Sequence, residues 1–577
     1  SRWGWSMKVI DTKSDAESPQ GAPFIVDRCR FTPTQGIEIS SLQLDDDKVQ
    51  NWPMVYILAN DNPRQKSAYV GETTSVSERM SQHSKNSEKD LFTSVNIIFN
   101  QEFNQSVIKD YENRLIGLMA ADGVYKLTNK NEGHSNLNYF SKEKYESMFD
   151  DLWEELRRME LADKTISEIE ESEVFKYSPY KSLSVDQRVA LNKIYSAIES
   201  DLSKAKPIVV QGMPGTGKTI LAIYLLKALR DDEKFKDLNI KIVEPMSSLR
   251  ETLGKTLKGV GGLKKSDVIG PNDLANPKFG YNSEVEKPFD ILLIDESHRL
   301  TARRGIIAFG NYDKVNKKLG LPKESTQLDW ALKLAKLPIF FYDASQSIKP
   351  ADIDSSSFEE KLGDALAHPI KLENQMRVQG GAEYLNYIAD ILNDKHPARR
   401  TFDNYEFVLH DSIDDFTDSF EQKLSEHNLT RMLAGYAWVW KTKGKPVGSS
   451  LKDIVIGDRS FRWNSMLKNW VGNGVTNPIY AQEVGCVHTA QGYDLSYSYV
   501  IIGPDLKLDP LTGKLVGDKD HYFDIKGKGG ATAEQLTQYI KNIYYVLLTR
   551  GIYGTHVYVV DDALREYLND FGGISGH

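Results

Sequence analysis

Gly212-Met213-Pro214-Gly215-Thr216-Gly217-Lys218-Thr219 decides how this chain is read. The spacing is that of a phosphate-cradling loop, GxxxxGK followed by Thr. The apolar, β-rich run Ile208-Val209-Val210 leads into it, and the helix-forming run from Ile220 to Leu226 leads out. Glycines permit a tight turn whose backbone N–H groups face anionic oxygens. The following helix N-terminus adds partial positive charge at the same point. Gly212, Pro214, Gly215, Thr216 and Gly217 are therefore expected to wrap the phosphates of ATP. Lys218 should reach the β- and γ-phosphates, and Thr219 should hold Mg²⁺.

Hydrolysis needs further groups, and the chain supplies them downstream. The strand-like run Ile291–Ile294 is followed by Asp295 and Glu296. An acid at a strand's C-terminal end faces the ligand crevice of a parallel sheet. Asp295 is expected to hold Mg²⁺ through water, and Glu296 to polarise the attacking water. The next apolar run, Ile339–Tyr342, ends in Asp343-Ala-Ser-Gln346, where Gln346 could sense the γ-phosphate. Strands are expected at 208–211, 240–244, 291–294, 339–342, 454–456, 499–502 and 556–560, alternating with helices. That alternation predicts parallel sheets in two lobes.

The motifs occur in a recognisable order. Leu183-Ser-Val-Asp-Gln187, Leu372-Glu-Asn-Gln-Met-Arg377, Val487-His-Thr-Ala-Gln491-Gly492 and Leu548-Thr-Arg550-Gly resemble motifs of superfamily 1 helicases. The wordings Ala434-Gly-Tyr-Ala-Trp438 and Arg462-Trp463-Asn464 resemble the Schlafen-type (group 3) helicase-like family. The resemblance implies two RecA-like lobes. It implies that Gln187 reads adenine, that Gln491 and Gly492 belong to the nucleotide site, and that Arg377 and Arg550 reach the γ-phosphate.

A second pattern lies upstream: Val55-Tyr56, Tyr69-Val70-Gly71, Arg79, His83, Tyr111-Glu112, Asn129 and Asn131. Arg79 and His83 are four apart on an expected helix and share a face. Arginine suits a pentacovalent phosphate, and a carboxylate can hold a hard cation. The set resembles the GIY-YIG nuclease family, although Pro53-Met54-Val55-Tyr56 lacks the usual first glycine. The resemblance implies catalytic roles for Tyr56, Tyr69, Arg79, His83 and Glu112, with Glu112 as ligand to Mg²⁺ or Mn²⁺.

At 577 residues the chain needs several cores. The expected division is a lead-in at 1–50, a GIY-YIG-like α/β nuclease domain at 51–142, a helical linker at 143–181, and RecA-like lobes at 182–365 and 366–577. The segment 517–530, rich in Gly, Lys and Asp, is expected to be a mobile loop. Two cysteines, Cys29 and Cys486, suggest no disulfide framework and fit a cytoplasmic location. No run approaches ~18 apolar residues, so no membrane partner is expected, and no secretory leader is evident. The net charge of −9 argues against a basic coat but leaves local basic grooves open. Lys255, Lys258, Lys264 and Lys265, and the pairs Arg303-Arg304, Lys317-Lys318 and Arg399-Arg400, are candidate phosphate contacts. Trp438, Trp440 and Trp463 are expected in the core. The resulting expectation is an ATP-dependent helicase or translocase fused to an endonuclease that cuts DNA, in a role such as restriction of foreign DNA. An RNA-directed enzyme and a non-unwinding ATPase switch are the alternatives. A homo-oligomer and partner defence proteins both stay open.

Overall fold

The computed structural model describes residues 24–33, 36–37, 44–64, 66–130, 139–170, 172–304, 306, 309–346, 351–373, 378–466, 470–490, 493–524, 528 and 530–571. Arg377, Gln491, Gly492 and Asn131 lie outside the described residues. By contacts the chain forms two units. One is Ser1–Leu183 with Ile220–Asp237 and Glu251–Val268, and the other is Ser184–Thr219 with Leu238–Arg250 and Ile269–His577.

The first unit carries a mixed sheet of β1 (Ile25–Arg30), β2 (Met54–Asn60), β3 (Ser67–Thr73), β4 (Ser94–Phe99) and β5 (Lys126–Leu127). Their order is β1-β4-β2-β3-β5, antiparallel except where β5 runs parallel to β3. Apolar β-branched and aromatic residues make β2 and β4 buried almost throughout. The helix Val76–His83 starts at a Ser75 cap, and the helix Gln105–Asp122 at an Asn104 cap. β1 comes from the expected lead-in, so the sheet begins well before residue 51.

The helix Lys142–Arg158 is no free linker. It buries Tyr145, Met148, Phe149, Leu152, Trp153 and Leu156. Tyr111 donates to the Tyr145 carbonyl at 2.6 Å and meets Phe149 edge-on at 5.0 Å. An amphipathic face this apolar needs a partner surface, and the sheet domain supplies it.

The second unit holds two parallel sheets. The first comprises β6 (Ile208–Gly212), β7 (Ile240–Val243), β8 (Val268–Ile269), β9 (Phe289–Ile294), β10 (Ala335–Tyr342) and β11 (Ile370–Leu372). Its order is β11-β6-β10-β9-β7-β8. β11 pairs with β6, Leu372 beside Gly212, so the first lobe runs past the boundary expected at 365.

The second sheet comprises β12 (Glu406–His410), β13 (Arg431–Ala434), β16 (Val484–Gly485), β17 (Leu495–Ile502) and β20 (Gly551–Val559), ordered β12-β20-β17-β13-β16. Two antiparallel pairs, β14 (Ile454–Ile456) with β15 (Arg459–Phe461) and β18 (Leu506–Leu508) with β19 (Leu515–Gly517), stand apart from it. The 454–456 strand thus belongs to a hairpin rather than to the parallel sheet. Part of the expected mobile loop is anchored: Tyr522 is buried, and the Phe523 N–H donates to the Tyr436 carbonyl at 2.8 Å. No described helix is long and apolar enough to cross a membrane.

Candidate functional site

The phosphate loop joins β6 to the helix Lys218–Asp231. Gly217 adopts φ +78°, and a Cβ there would fall 2.2 Å from the Gln187 amide nitrogen. Only glycine fits so close an approach at positive φ. Gln187 is buried and fully engaged. Its Nε2 donates to the carbonyls of Thr216 at 3.2 Å and Gly217 at 3.3 Å, and its Oε1 accepts from the Ser184 N–H. It clasps the loop. Lys218 is also buried, with Nζ donating to the carbonyls of Gly212 at 2.6 Å and Met213 at 3.1 Å. Thr216 Oγ1 donates to the Met213 carbonyl at 2.8 Å. Pro214 is buried and Gly215 has φ +80°. The Met213 side chain packs against the core of the second lobe.

β9 delivers the acids. Asp295 is fully buried beside the Thr219 hydroxyl, and neither carboxylate oxygen has a well-aligned partner among the described residues. Burial raises its pKa and Glu296 adds to this. Glu296 sits in the left-handed region at φ +43°, a strained conformation of the kind stored at functional sites. Its Oε2 lies 2.9 Å from Nε2 of the buried His298. Burial pushes Glu296 up, but His298, Lys218 and Arg299 outweigh it and hold the carboxyl below its ordinary range.

A third carboxylate escaped the sequence reading. Val243 of β7 pairs with Ile294 of β9, so Glu244 and Asp295 leave adjacent strands side by side. Glu244 is fully buried, accepts from the Met246 N–H at 2.7 Å, and keeps Oε2 without a partner among the described residues. Burial, then Asp295 and Glu296, push it well up. The signal was present, since Glu244 ends an apolar strand as Asp295 does.

The Ala344–Gln346 turn follows β10. Gln346 Nε2 donates to Asp343 at 2.8 Å, and the turn packs against both the Ser297–Arg299 turn and the helix Ala533–Leu548. Arg550 follows two residues after that helix; it is buried and donates from Nε to the Val546 carbonyl at 3.3 Å.

The first unit gathers its own cluster. Tyr56 on β2, Tyr69 on β3, and Arg79 and His83 on the 76–83 helix come together. The Tyr56 hydroxyl lies 2.7 Å from His83 Nε2 and accepts from Arg79 Nε at 3.1 Å. Arg79 also bonds Tyr69. A Cβ on Gly71 would fall 2.2 Å from the Tyr56 hydroxyl, so glycine opens the room for it. Lys89, unremarked in the sequence, places Nζ 3.2 Å from the Tyr69 ring centre. Burial lowers Lys89 to about 8. Burial, Arg79 and Lys89 lower His83 to about 4, so it is neutral at pH 7. Burial raises Tyr56, and Glu112 on the 105–122 helix raises it further, which places that carboxylate within electrostatic reach. Asn129 is spent on structure: its amide accepts from the Val70 N–H at 3.0 Å and donates to the Val70 carbonyl at 2.7 Å.

Among the described residues no three His, Cys, Asp or Glu side chains form a metal cluster. Thr219 with the unpartnered Asp295, and Glu112 alone, instead offer one carboxylate each. That suits Mg²⁺, which keeps several waters and takes its remaining ligands from phosphate.

Four of the ten basic candidates are held in ion pairs. Arg303 pairs with Asp313 at 2.6 Å, Arg304 with Asp354 at 2.6 Å, Arg400 with Glu383 at 2.9 Å, and Lys255 with Glu251 at 3.5 Å. Of the three tryptophans expected in the core, only Trp463 is fully buried; Trp438 and Trp440 are partly exposed.

Loop and sheets together define a phosphate-loop protein with two parallel-sheet lobes. The chain belongs to the Schlafen group 3 DNA/RNA helicase domain family, whose model matches residues 205–561, more than half of its length. It is 24% identical over 441 residues to "Uncharacterized protein YPL245W" of Saccharomyces cerevisiae, covering 67% of this chain and 90% of that protein. It is 23% identical to a RuvB-like helicase 1 of Debaryomyces hansenii, over 36% of this chain and 49% of that one. Among solved structures, Mss116p bound to ssRNA and AMP-PNP shows a TM-score of 0.26 at 12% identity, over 66% of this chain and 65% of that one. Domain III of the Thermotoga maritima DnaA protein shows 0.20 at 14%, over 39% and 76%. Likeness this slight adds nothing to the reading.

Proposed function

We propose that this chain is an ATP-driven nucleic-acid helicase or translocase joined to a metal-dependent GIY-YIG-type endonuclease that cuts DNA. The observation that carries the ATPase reading is the buried Asp295 carboxylate, without a well-aligned partner, beside Thr219 in a complete phosphate loop. Thr219 and Asp295 would hold Mg²⁺, which neutralises phosphate charge when bound. Lys218 would exchange its carbonyl partners for phosphate oxygens. Glu296, kept ionised by His298, would orient the attacking water. The Gln346 turn packs against the helix that leads to Arg550, which suits a signal passed between lobes on loss of the γ-phosphate.

The cutting reading rests on the mutual bonds of Tyr56, Arg79 and His83, with Glu112 near. Glu112 would hold Mg²⁺ or Mn²⁺, which stabilises the leaving oxygen when bound. Neutral His83 holds the Tyr56 hydroxyl in place through their hydrogen bond, and Arg79 can face the phosphate. Coupling a cutter to an ATPase would confine cleavage to DNA the lobes engage, as restriction of foreign DNA requires. The test is incubation of the full chain with plasmid DNA and with RNA, in Mg²⁺ or Mn²⁺, with and without ATP. Glu112→Ala should abolish cleavage and spare ATP turnover. Lys218→Ala should abolish turnover. Cleavage of RNA alone would transfer the reading to an RNA-directed enzyme, and absence of ATP turnover with any nucleic acid would end the motor reading.

A further inference from the structure

Between β13 and β16 the second lobe carries an excursion that the ATP chemistry does not use. It is built around the β14–β15 hairpin, Ile454 opposite Phe461. Asp453 locks it together. Its carboxylate accepts from the Thr442 N–H at 2.9 Å, the Thr442 hydroxyl at 2.6 Å and the Trp463 N–H at 2.8 Å. The lock encloses a cavity of about 320 Å³ walled by Trp440, Trp463, Met466, Tyr480 and Glu483. Cavities of roughly 300–1,000 Å³ hold small ligands. The two indoles meet edge-on, centroids 6.4 Å apart.

Two polar atoms on that wall lack a partner, one of them on a carboxylate whose other oxygen, Glu483 Oε1, pairs with Arg462 at 3.4 Å. Trp463 is 3% exposed and Glu483 4% exposed, yet the Trp463 indole N–H and the Glu483 Oε2 have no partner among the described residues. Leaving a buried polar group unpaired costs roughly 1–3 kcal/mol. A donor and an acceptor set among aromatic rings are the complement of a flat heterocycle that presents an acceptor and a donor on its edge. Nucleobase edges have that character.

The rim supplies the other half of a nucleotide's recognition. Lys441-Thr-Lys443-Gly-Lys445-Pro-Val-Gly-Ser-Ser-Leu-Lys452 holds four lysines and no acid. None of the four meets a carboxylate among the described residues, and Lys443 stands 5.3 Å over the Trp440 ring. Lys445 lines the cavity, and Lys452 lines an adjoining hollow of about 400 Å³ that shares Val447, Arg462 and Glu483 with it. Unpaired lysines beside aromatic walls are the arrangement that binds single strands, through phosphate attraction and base stacking.

We infer that this cavity receives an unstacked base of single-stranded nucleic acid, with Trp463 and Glu483 reading its edge and the 441–452 loop following its phosphates. The inference rests on the nucleic-acid reading above and adds a site to it. The test measures binding of labelled 12-nucleotide homopolymers of DNA and RNA to the full chain by fluorescence anisotropy at several salt concentrations. Trp463→Phe keeps a ring and removes the N–H. Glu483→Gln is isosteric and carries the test if the first variant loosens the pocket. Each should weaken binding about tenfold, change the order of affinity among the homopolymers, and leave nucleic-acid-free ATP turnover unchanged. Replacing Lys443 and Lys445 by Ala should instead flatten the salt dependence equally for all sequences. Wild-type affinity and base order in both pocket variants would overturn the site while sparing the nucleic-acid reading. Failure of the wild-type chain to bind any oligonucleotide would overturn that reading itself.

Discussion

Gly71 shows how one hydrogen atom can decide a site. Any side chain there would overlap the Tyr56 hydroxyl, and with it the bonds to Arg79 and His83. Gly71→Ala is expected to cost roughly 1–3 kcal/mol in urea unfolding, as overpacking does. It should also remove cleavage while ATP turnover persists, which parallel assays would show. In the proposed ATPase, Arg550 is the matching residue. Arg550→Ala should lower ATP turnover about 10³-fold with nucleotide binding largely kept, as measured by a fluorescent analogue. The placement of such residues was legible in sequence because it depends on close spacing: Lys218 and Thr219 at one loop, Arg79 and His83 on one helix. Lys89 and Glu244 were not. Lys89 reaches Tyr69 from beyond the end of a helix, and Glu244 meets Asp295 only through strand pairing.

The strands of the second lobe carry a pH dependence of their own. His410 at the end of β12 and His556 on β20 lie 2.9 Å apart, and His556 lies 3.3 Å from Glu406. Burial, then the His556 charge, lowers His410 to about 4. Burial likewise lowers His556. The folded state therefore refuses protons that the unfolded chain accepts near pH 6.5. The stability due to the neutral pair is complete above that pH and is lost as pH falls from about 6.5 towards 4. Urea midpoints should fall across this window, and His410→Gln should lessen the fall. Most of the parallel strands were legible as apolar runs ending in acids or glycine. β13 was not, because it is four residues long and opens with Arg431, a buried cation held by the carbonyls of Asn428, Thr430 and Val471. β14 is apolar like a central strand, and nothing in three residues distinguishes hairpin from core.

At the scale of the whole chain, the helical linker expected at 143–181 is joined by a main-chain contact. The glycine-rich loop at 259–262, flanked by the candidate phosphate contacts Lys258 and Lys264, lies against the edge of the N-terminal sheet. Leu127 of β5 donates its N–H to the Gly259 carbonyl at 3.1 Å and accepts from the Gly261 N–H. A Cβ on Gly261 would collide with the Leu127 carbonyl, so Gly261→Val should break the joint. If ATP turnover governs cutting, that variant should retain both activities and lose the effect of ATP on cleavage, which rates with and without nucleotide would reveal.

That joint fixes what kind of machine can be built here. Leu127 has both main-chain groups pledged to the 259–261 segment, while Lys126 and its neighbours grip the strand that bears Tyr69. The 251–268 segment, which lies inside the helicase-family region, is thus two main-chain bonds and one strand pairing away from the strand that bears Tyr69.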